Sequence, residues 1–346
     1  MNKEQRLKDI LIEKPFIIAE IGVNHECSID RALRLIDLAA EGGADAAKFQ
    51  TYKAKDLARK DSPAYWDLSK EKTTSQRELF EKFDCFLLED YERLYEHCLK
   101  RNIEFMSTPF SGDAFDWINP LVKRHKLSSS DLTNVELIEK IKSSKKPVIA
   151  STGAANIKEI RELVRTFSCV NDFTLLHCIL SYPTDLGDAN LSNITYMKEQ
   201  FPDIKIGYSD HLTSDYIHAL FSAYIMGASV IETHFTDNKE GLGNDHYHAL
   251  DVYDLKKLVS WCDDFQKAYG TPRSNVYECE KQSRLQARRS VTSKVKIRSG
   301  ELLTKENITL KRPGDGIPAI KYYDLLGKKA LHDIEEDKKI PDDWLI

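Results

Sequence analysis

Along the first three quarters of this 346-residue chain, eight short apolar, β-rich runs alternate with helix-length amphipathic stretches. The runs fall at 16–19, 44–49, 103–106, 121–127, 147–150, 173–176, 205–208 and 229–232. Helical periodicity fills the gaps at 29–40, 87–99, 134–141, 157–167, 194–200 and 216–226, is weakest at 111–119, and ends with 252–269. An eightfold strand–helix alternation is the pattern of an α/β (β/α)8 TIM barrel. A doubly wound open sheet usually has fewer strands and a glycine-rich first turn. Here the first run leads instead into Glu20-Ile21-Gly22-Val23-Asn24-His25. The polar segment 52–86 is long for a barrel loop, and long loops after a barrel strand tend to shape the mouth of a site.

The pattern predicts a barrel domain over 1–270, a polar linker over 271–285 and a small β-rich domain over 286–346. Strands are expected at 290–297, 308–311 and 328–334, with turns at Arg298-Ser299-Gly300 and Pro313-Gly314. A domain of ~60 residues is marginal alone and is expected to dock on something. The formal net charge of −5 argues against a nucleic-acid partner. The charged N-terminus lacks a signal core, and the most apolar stretch, 219–231, is shorter than the ~20 residues of a membrane span, so a cytoplasmic location is expected. Seven scattered cysteines without a C-x-x-C pair read as reduced packing residues.

Barrel active sites sit at the C-terminal ends of the strands. The expected strands end in Glu20; Lys48 and Gln50; Thr108; Lys126 with Ser128–Asp131; Ser151; His177 with Tyr182 beyond; Ser209-Asp210-His211; and Glu232 with His234. Lys48 and Lys126, with hydroxyls from Thr108, Ser129, Ser151 and Ser209, suit a small multiply charged anion, because charge-assisted hydrogen bonds are about twice as strong as neutral ones. His211 and His234 suit a divalent metal, and Glu20, Asp131 and Asp245 suit proton transfer. Blander readings stand beside these. A strand lysine can be a Schiff-base nucleophile, the serine run a turn, Asp210 a helix cap or an orienting group, and Tyr182 packing. His97, His218 and His332 read as structural.

At these residues the chain resembles the sialic acid synthase family, N-acetylneuraminate synthase and its legionaminate and pseudaminate relatives. The resemblance is carried by IIAEIGVNH (17–25), GADAAKFQT (43–51), STPF (107–110), KLSSSD (126–131), STG (151–153), LLHC…YPT (175–184), IGYSDH (206–211), IETHFTD (231–237), GNDHYHALD (243–251) and KRPG (311–314). It implies a barrel followed by an antifreeze-like (SAF, β-clip) domain, in a domain-swapped homodimer. It implies condensation of phosphoenolpyruvate with an N-acyl amino-sugar aldehyde, N-acetylmannosamine first or a 6-deoxy diacetamido hexose otherwise. Lys48, Thr108, Lys126, Ser129, Ser151 and Ser209 would then hold phosphoenolpyruvate. His211 and His234 would hold Mn2+ or Mg2+. Gln50, Tyr182 and a partner's Arg312 would contact the sugar, and Glu20, Asp131 and Asp245 would lie nearest the reaction. A Schiff-base aldolase and a non-catalytic sugar-binding protein are the remaining alternatives. The chain departs from the family at Glu26-Cys27, at Ser128–Asp131 and at Leu180.

Overall fold

The computed structural model describes residues 13–66, 68–69, 71–241, 243 and 245–346. Two compact units emerge, one ending at Gly270 and the other spanning Thr271–Ile346. In the first, eight strands form a parallel sheet: β1 (Phe16–Gly22), β2 (Ala46–Thr51), β3 (Glu104–Pro109), β4 (His125–Leu127), β5 (Val148–Ser151), β6 (Phe173–Cys178), β7 (Lys205–Asp210) and β8 (Val230–His234). The ladder runs β3-β2-β1-β8-β7-β6-β5-β4, and β3 lies alongside β4 to close the circle. This is the TIM-type barrel expected from the alternation.

Side chains alternate across a strand, so each strand feeds the barrel interior at every second residue. The lower interior layer is apolar: Ile18, Ala46, Met106, Ile149, Leu176 and Val230 pack together. Two residues further up β1, β2 and β8, the same faces carry Glu20, Lys48 and Glu232. The period that builds the core therefore also delivers the ionisable groups to one level. Gly207 lies on the same inner surface; a Cβ there would come within 2.5 Å of both the Val230 carbonyl and Leu176 Cδ2. Only glycine lets β7 approach β8 that closely.

The outer helices bury one stripe each. In Ile29–Gly42 the stripe is Ala32, Leu35, Ile36 and Ala39, and Ser28 Oγ caps the helix by accepting the Arg31 N–H. Asn156 and Asp251 close capping boxes with Glu159 and Asp254 on the helices Ile157–Thr166 and Val252–Tyr269.

Several expectations need correction. The run 121–127 forms a strand only at His125–Leu127. Leu121 and Val122 instead turn back on the helix Gly112–Ile118, each donating its N–H to the Ile118 carbonyl. Cys27 and Cys85 are joined in a disulfide with Cα atoms 5.7 Å apart, where all cysteines were expected reduced. Their separation of 58 residues carries no spacing signal. The disulfide ties the loop after β1 to the end of the 52–86 insert.

In the second unit β9 (Ser290–Ser293) pairs antiparallel with β10 (Ile308–Lys311) over a core that includes Val291, Ile297, Ile308, Leu325 and Ile340. The first strand stops short of the expected 297. The expected strand 328–334 is reduced to isolated bridges such as Leu302 with Lys329 and Ile297 with Ile334. A short helix, Lys281–Ala287, forms where linker was expected; it contains no Gly or Pro to oppose it. No helix among the described residues is long and apolar enough to cross a membrane.

Candidate active site

A pocket of about 400 Å³ opens at the C-terminal ends of the strands. Its floor is a ring of four buried charges. Lys48 Nζ lies 2.5 Å from Glu20 Oε2 and 3.6 Å from Glu232 Oε2, and Lys126 Nζ lies 3.5 Å from Glu232 Oε1. Hydroxyls complete the ring: Lys48 donates to Thr108 Oγ1 at 3.1 Å, Lys126 to Ser151 Oγ at 2.8 Å, and Ser209 Oγ–H to Glu232 Oε1 at 2.9 Å. Glu232 is thus the hub of the floor, although the sequence reading gave it no role.

Burial pushes the Glu20 carboxyl above the usual carboxylate range, with Lys48 opposing and Glu232 reinforcing the shift. Burial would also raise Glu232, but Lys126 and Lys48 together hold it below its ordinary value. Lys126 is lowered, first by burial, against the pull of Glu232. Burial would lower Lys48 too, yet Glu20 and Glu232 more than offset it and the ammonium is held above its usual value.

Above the floor, Gln50 Nε2 donates to Glu20 Oε1 at 3.0 Å. At Gly22, whose φ is +54°, a Cβ would meet Gln50, Glu20 and Asp245 within 3.5 Å, so these three converge on one point. Asn24 positions the segment that carries Asp245 by donating to the carbonyls of Phe235 and Asp245 at 3.0 and 3.2 Å. Asp131 also lines the pocket; its carboxylate accepts from Ser128 Oγ at 2.7 Å and Asn134 Nδ2 at 2.9 Å. Ser129 Oγ accepts the Gly153 N–H at 2.9 Å. The serine run is a short 3-10 turn and also part of the pocket wall.

The opposite side is a corner of imidazoles. The ring centres of His211 and His234 are 5.4 Å apart, and Tyr182 lies 4.1 Å from His211. His211 Nδ1–H donates to the Ile179 carbonyl at 2.7 Å, which leaves its Nε2 lone pair for a ligand. Asp210, behind it, accepts the Tyr208 hydroxyl at 2.8 Å, and burial pushes its carboxyl up to about 6. Among the described residues, His234, Asp245 and His248 bring one donor atom each within 4.8 Å of one another. His248 was not singled out from the sequence. Burial keeps His211 below the ordinary histidine value against the opposing pull of the Ile179 carbonyl and Asp210, while burial first and then the neighbouring imidazoles keep His234 low and take His248 to about 3. Neutral imidazoles, a carboxylate and buried ring nitrogens without hydrogen-bond partners at His234 and His248 form a donor set that fits a divalent cation.

The insert supplies the outer wall, with Leu57, Tyr65, Trp66, Leu79, Phe80 and Phe83, and Leu180 faces the pocket beside Tyr182. Arg312 is exposed and lies in the second unit, just before β10's following turn at Pro313. His246, in the same motif as Asp245, has both ring nitrogens engaged, with Thr236 Oγ1 at 2.7 Å and Glu26 Oε1 at 3.1 Å.

Comparison with known proteins matches residues 35–274 to the NeuB family and residues 288–344 to the SAF domain. The chain is 37% identical over 340 residues to the N,N'-diacetyllegionaminic acid synthase of Campylobacter jejuni, covering 95% of this chain and 99% of that one. It is 33% identical to the human N-acetylneuraminate-9-phosphate synthase, covering 94% of this chain and 91% of that one. The crystal structure of N-acetylneuraminic acid (sialic acid) synthetase from Leptospira borgpetersenii, in complex with citrate, superposes with a TM-score of 0.69 at 32% identity, covering 79% of this chain and 90% of that one. Motifs, barrel and matched models agree: the chain belongs to the NeuB family, the sialic acid synthase family, with a SAF domain at its C-terminal end.

Proposed function

We propose that this protein joins phosphoenolpyruvate to an N-acyl amino-sugar aldehyde and water, releasing phosphate and a nine-carbon nonulosonic acid. The observation that carries the reading is the pocket floor, where two buried lysines and three hydroxyls, with Ser129 in the wall beside them, face a corner of metal-competent imidazoles. Phosphoenolpyruvate fits the floor, with Lys48, Lys126, Thr108, Ser129, Ser151 and Ser209 as donors to its carboxylate and phosphate.

C3 of phosphoenolpyruvate bonds to the aldehyde carbon, and the aldehyde oxygen takes a proton. Water adds at C2, giving up a proton to a carboxylate. The C2–O bond to phosphorus-bearing oxygen then breaks, and phosphate leaves as the C2 ketone forms. Glu20 and Asp131 are the carboxylates that hold or move these protons, and Asp245 lies close to the reaction as a ligand of the cation. Glu20 is suited to carry one, because its raised value lets it be protonated near neutral pH more readily than an ordinary glutamate. The lysines act by position and charge. A divalent cation, Mn2+ or Mg2+, held at His211, His234 and Asp245 would supply Lewis-acid polarisation of the aldehyde.

For the acceptor, we infer a 6-deoxy diacetamido hexose in preference to N-acetylmannosamine. Tyr65, Trp66, Phe80, Phe83 and Leu180 offer an apolar wall suited to a methyl group, and among the described lining residues the only cations are the two floor lysines. The Campylobacter relative bears the name of a diacetyllegionaminic acid synthase, which supports this choice. Gln50 and Tyr182, with Arg312 contributed by a partner in a domain-swapped dimer, would contact the sugar. Arg312→Ala mixed with an inactive Lys126→Met chain should recover activity if the arginine acts across subunits. The deciding experiment is phosphate release from phosphoenolpyruvate with Mn2+ across N-acyl hexosamines. Release that depends on the diacetamido sugar, with a nine-carbon acid in the mass spectrum, is the expected result. Release only with N-acetylmannosamine would overturn the acceptor, and none with any sugar would overturn the reaction. The lowered Lys126 ammonium is the one feature that favours a Schiff-base aldolase; borohydride trapping with pyruvate would reveal it.

A further inference from the structure

His248 is 1% exposed, and neither of its ring nitrogens has a hydrogen-bond partner. Leaving a buried polar atom unmatched is costly, so a side chain with two such atoms calls for a ligand. Its ring centre is 4.6 Å from that of His234 and 6.3 Å from that of His211. The backbone holds it there: the Leu250 N–H donates to the His234 carbonyl at 2.8 Å, and Leu250 bridges to Phe235 in parallel register. His246, two residues away, shows how a structural histidine in this segment is treated, with both nitrogens engaged. Ring packing alone accounts poorly for His248, since an apolar ring would fill the place without the unmatched nitrogens.

We infer that His248 is a third imidazole ligand of the divalent cation, completing a nitrogen-rich set of His211, His234 and His248 with Asp245. This rests on the proposed metal site at His211 and His234 and extends it. Imidazole donors favour later first-row ions, whereas Mg2+ prefers oxygen, so this site discriminates against Mg2+ and holds Co2+ or Zn2+ more tightly than Mn2+.

The test is binding of Co2+ to the full-length protein, read by calorimetry and by the visible d–d absorption. His234→Ala should weaken binding, and His248→Phe, which keeps a ring and removes the nitrogens, should do the same. The loss should be at least about 10–100-fold, the range for removing even an outer partner of a metal ligand. The d–d bands should shift in His248→Phe. If His234→Ala loses Co2+ and folded His248→Phe binds it with wild-type affinity and spectrum, the third-ligand assignment is overturned while the site stands. If both bind normally, the metal site itself is misplaced and the inference falls with it. Should His248→Phe not fold, remote-nitrogen echo modulation from Cu2+-loaded wild type decides: a third imidazole supports the assignment, and only two overturn it.

Discussion

Where the barrel strands begin, most of the named polar groups are paired locally, with only His125 Nδ1 left without a hydrogen-bond partner. Asp45 accepts the Ile17 N–H at 2.7 Å, Arg124 pairs with Glu104 at 2.8 Å, Lys146 donates to the Val122 carbonyl at 2.8 Å, and His125 meets Asn119 at 3.1 Å. Where the strands end, the same residue types lean on one another instead. Lys48, Lys126, Glu20 and Glu232 share their charges around a ring, and His234 and His248 keep nitrogens without hydrogen-bond partners. One end is built largely from local pairs and the other from a network that a ligand completes. The barrel spends its buried polarity on stability below and on chemistry above, as the general placement of barrel active sites leads one to expect.

The strongest challenge to this contrast is Lys48→Met. It should lower phosphate release on the order of 1000-fold in steady-state kinetics, as for loss of a central charge-stabilising donor. It also leaves Glu20 and Glu232 short of a counter-ion, so urea unfolding should show a loss of about 3–5 kcal/mol. Replacing Lys126 with Met and Glu232 with Gln together removes one charge of each sign. That double variant should be equally inactive and yet lie within about 1 kcal/mol of wild-type stability, since whole buried pairs are often dispensable. Equal destabilisation of both variants would mean that the upper end, too, is built largely from local pairs.

A second challenge comes from the one covalent tie at the upper end. Cys27→Ser with Cys85→Ser opens a loop of nearly sixty residues and should cost roughly 2–4 kcal/mol in urea unfolding without reductant. Wild type treated with a thiol should show the same loss. No difference would mean that the insert is held by packing alone.

The mildest effect belongs to the lower end. Burial lowers His125 to about 4, against about 6.5 in the unfolded chain. As pH falls below 6.5 the unfolded chain takes the proton first, so stability present above 6.5 is lost progressively down to about 4. At pH 5 the loss is about 2 kcal/mol. His125→Leu should flatten that part of the stability curve by this amount and leave turnover at neutral pH unchanged. A slope identical to wild type would assign the acid sensitivity elsewhere.

The barrel was legible because two periods, 2 and 3.6, alternate cleanly, and the strand-end residues follow from the first period alone. Glu20, Lys48, Thr108, Lys126, Ser151 and Ser209 are all brought to one pocket by that rule. Glu232 was visible as a strand end, but its role depends on which charges face it across the barrel, and that is set by register. His248 lies beyond β8 in a segment without periodicity, so nothing in its spacing announces where its ring goes. The Cys27–Cys85 pair depends on how a long insert folds back. Leu121–Val122 shows the opposite error, an apolar pair next to a strand that a preceding helix captures.

The floor of the pocket sums to zero: two ammonium groups and two carboxylates. Phosphoenolpyruvate would bring a carboxylate and a phosphate, roughly −2.5 to −3 in all at neutral pH. Seating such an anion beside Glu20, whose carboxyl burial already pushes upward, makes protonation of that carboxyl more favourable still. Binding should therefore draw protons from solution. Calorimetric titration in buffers of different ionisation enthalpy would register the uptake as a heat that varies with the buffer, and Glu20→Gln should abolish the variation. A buffer-independent heat would mean that the ring meets its substrate without changing its own charge.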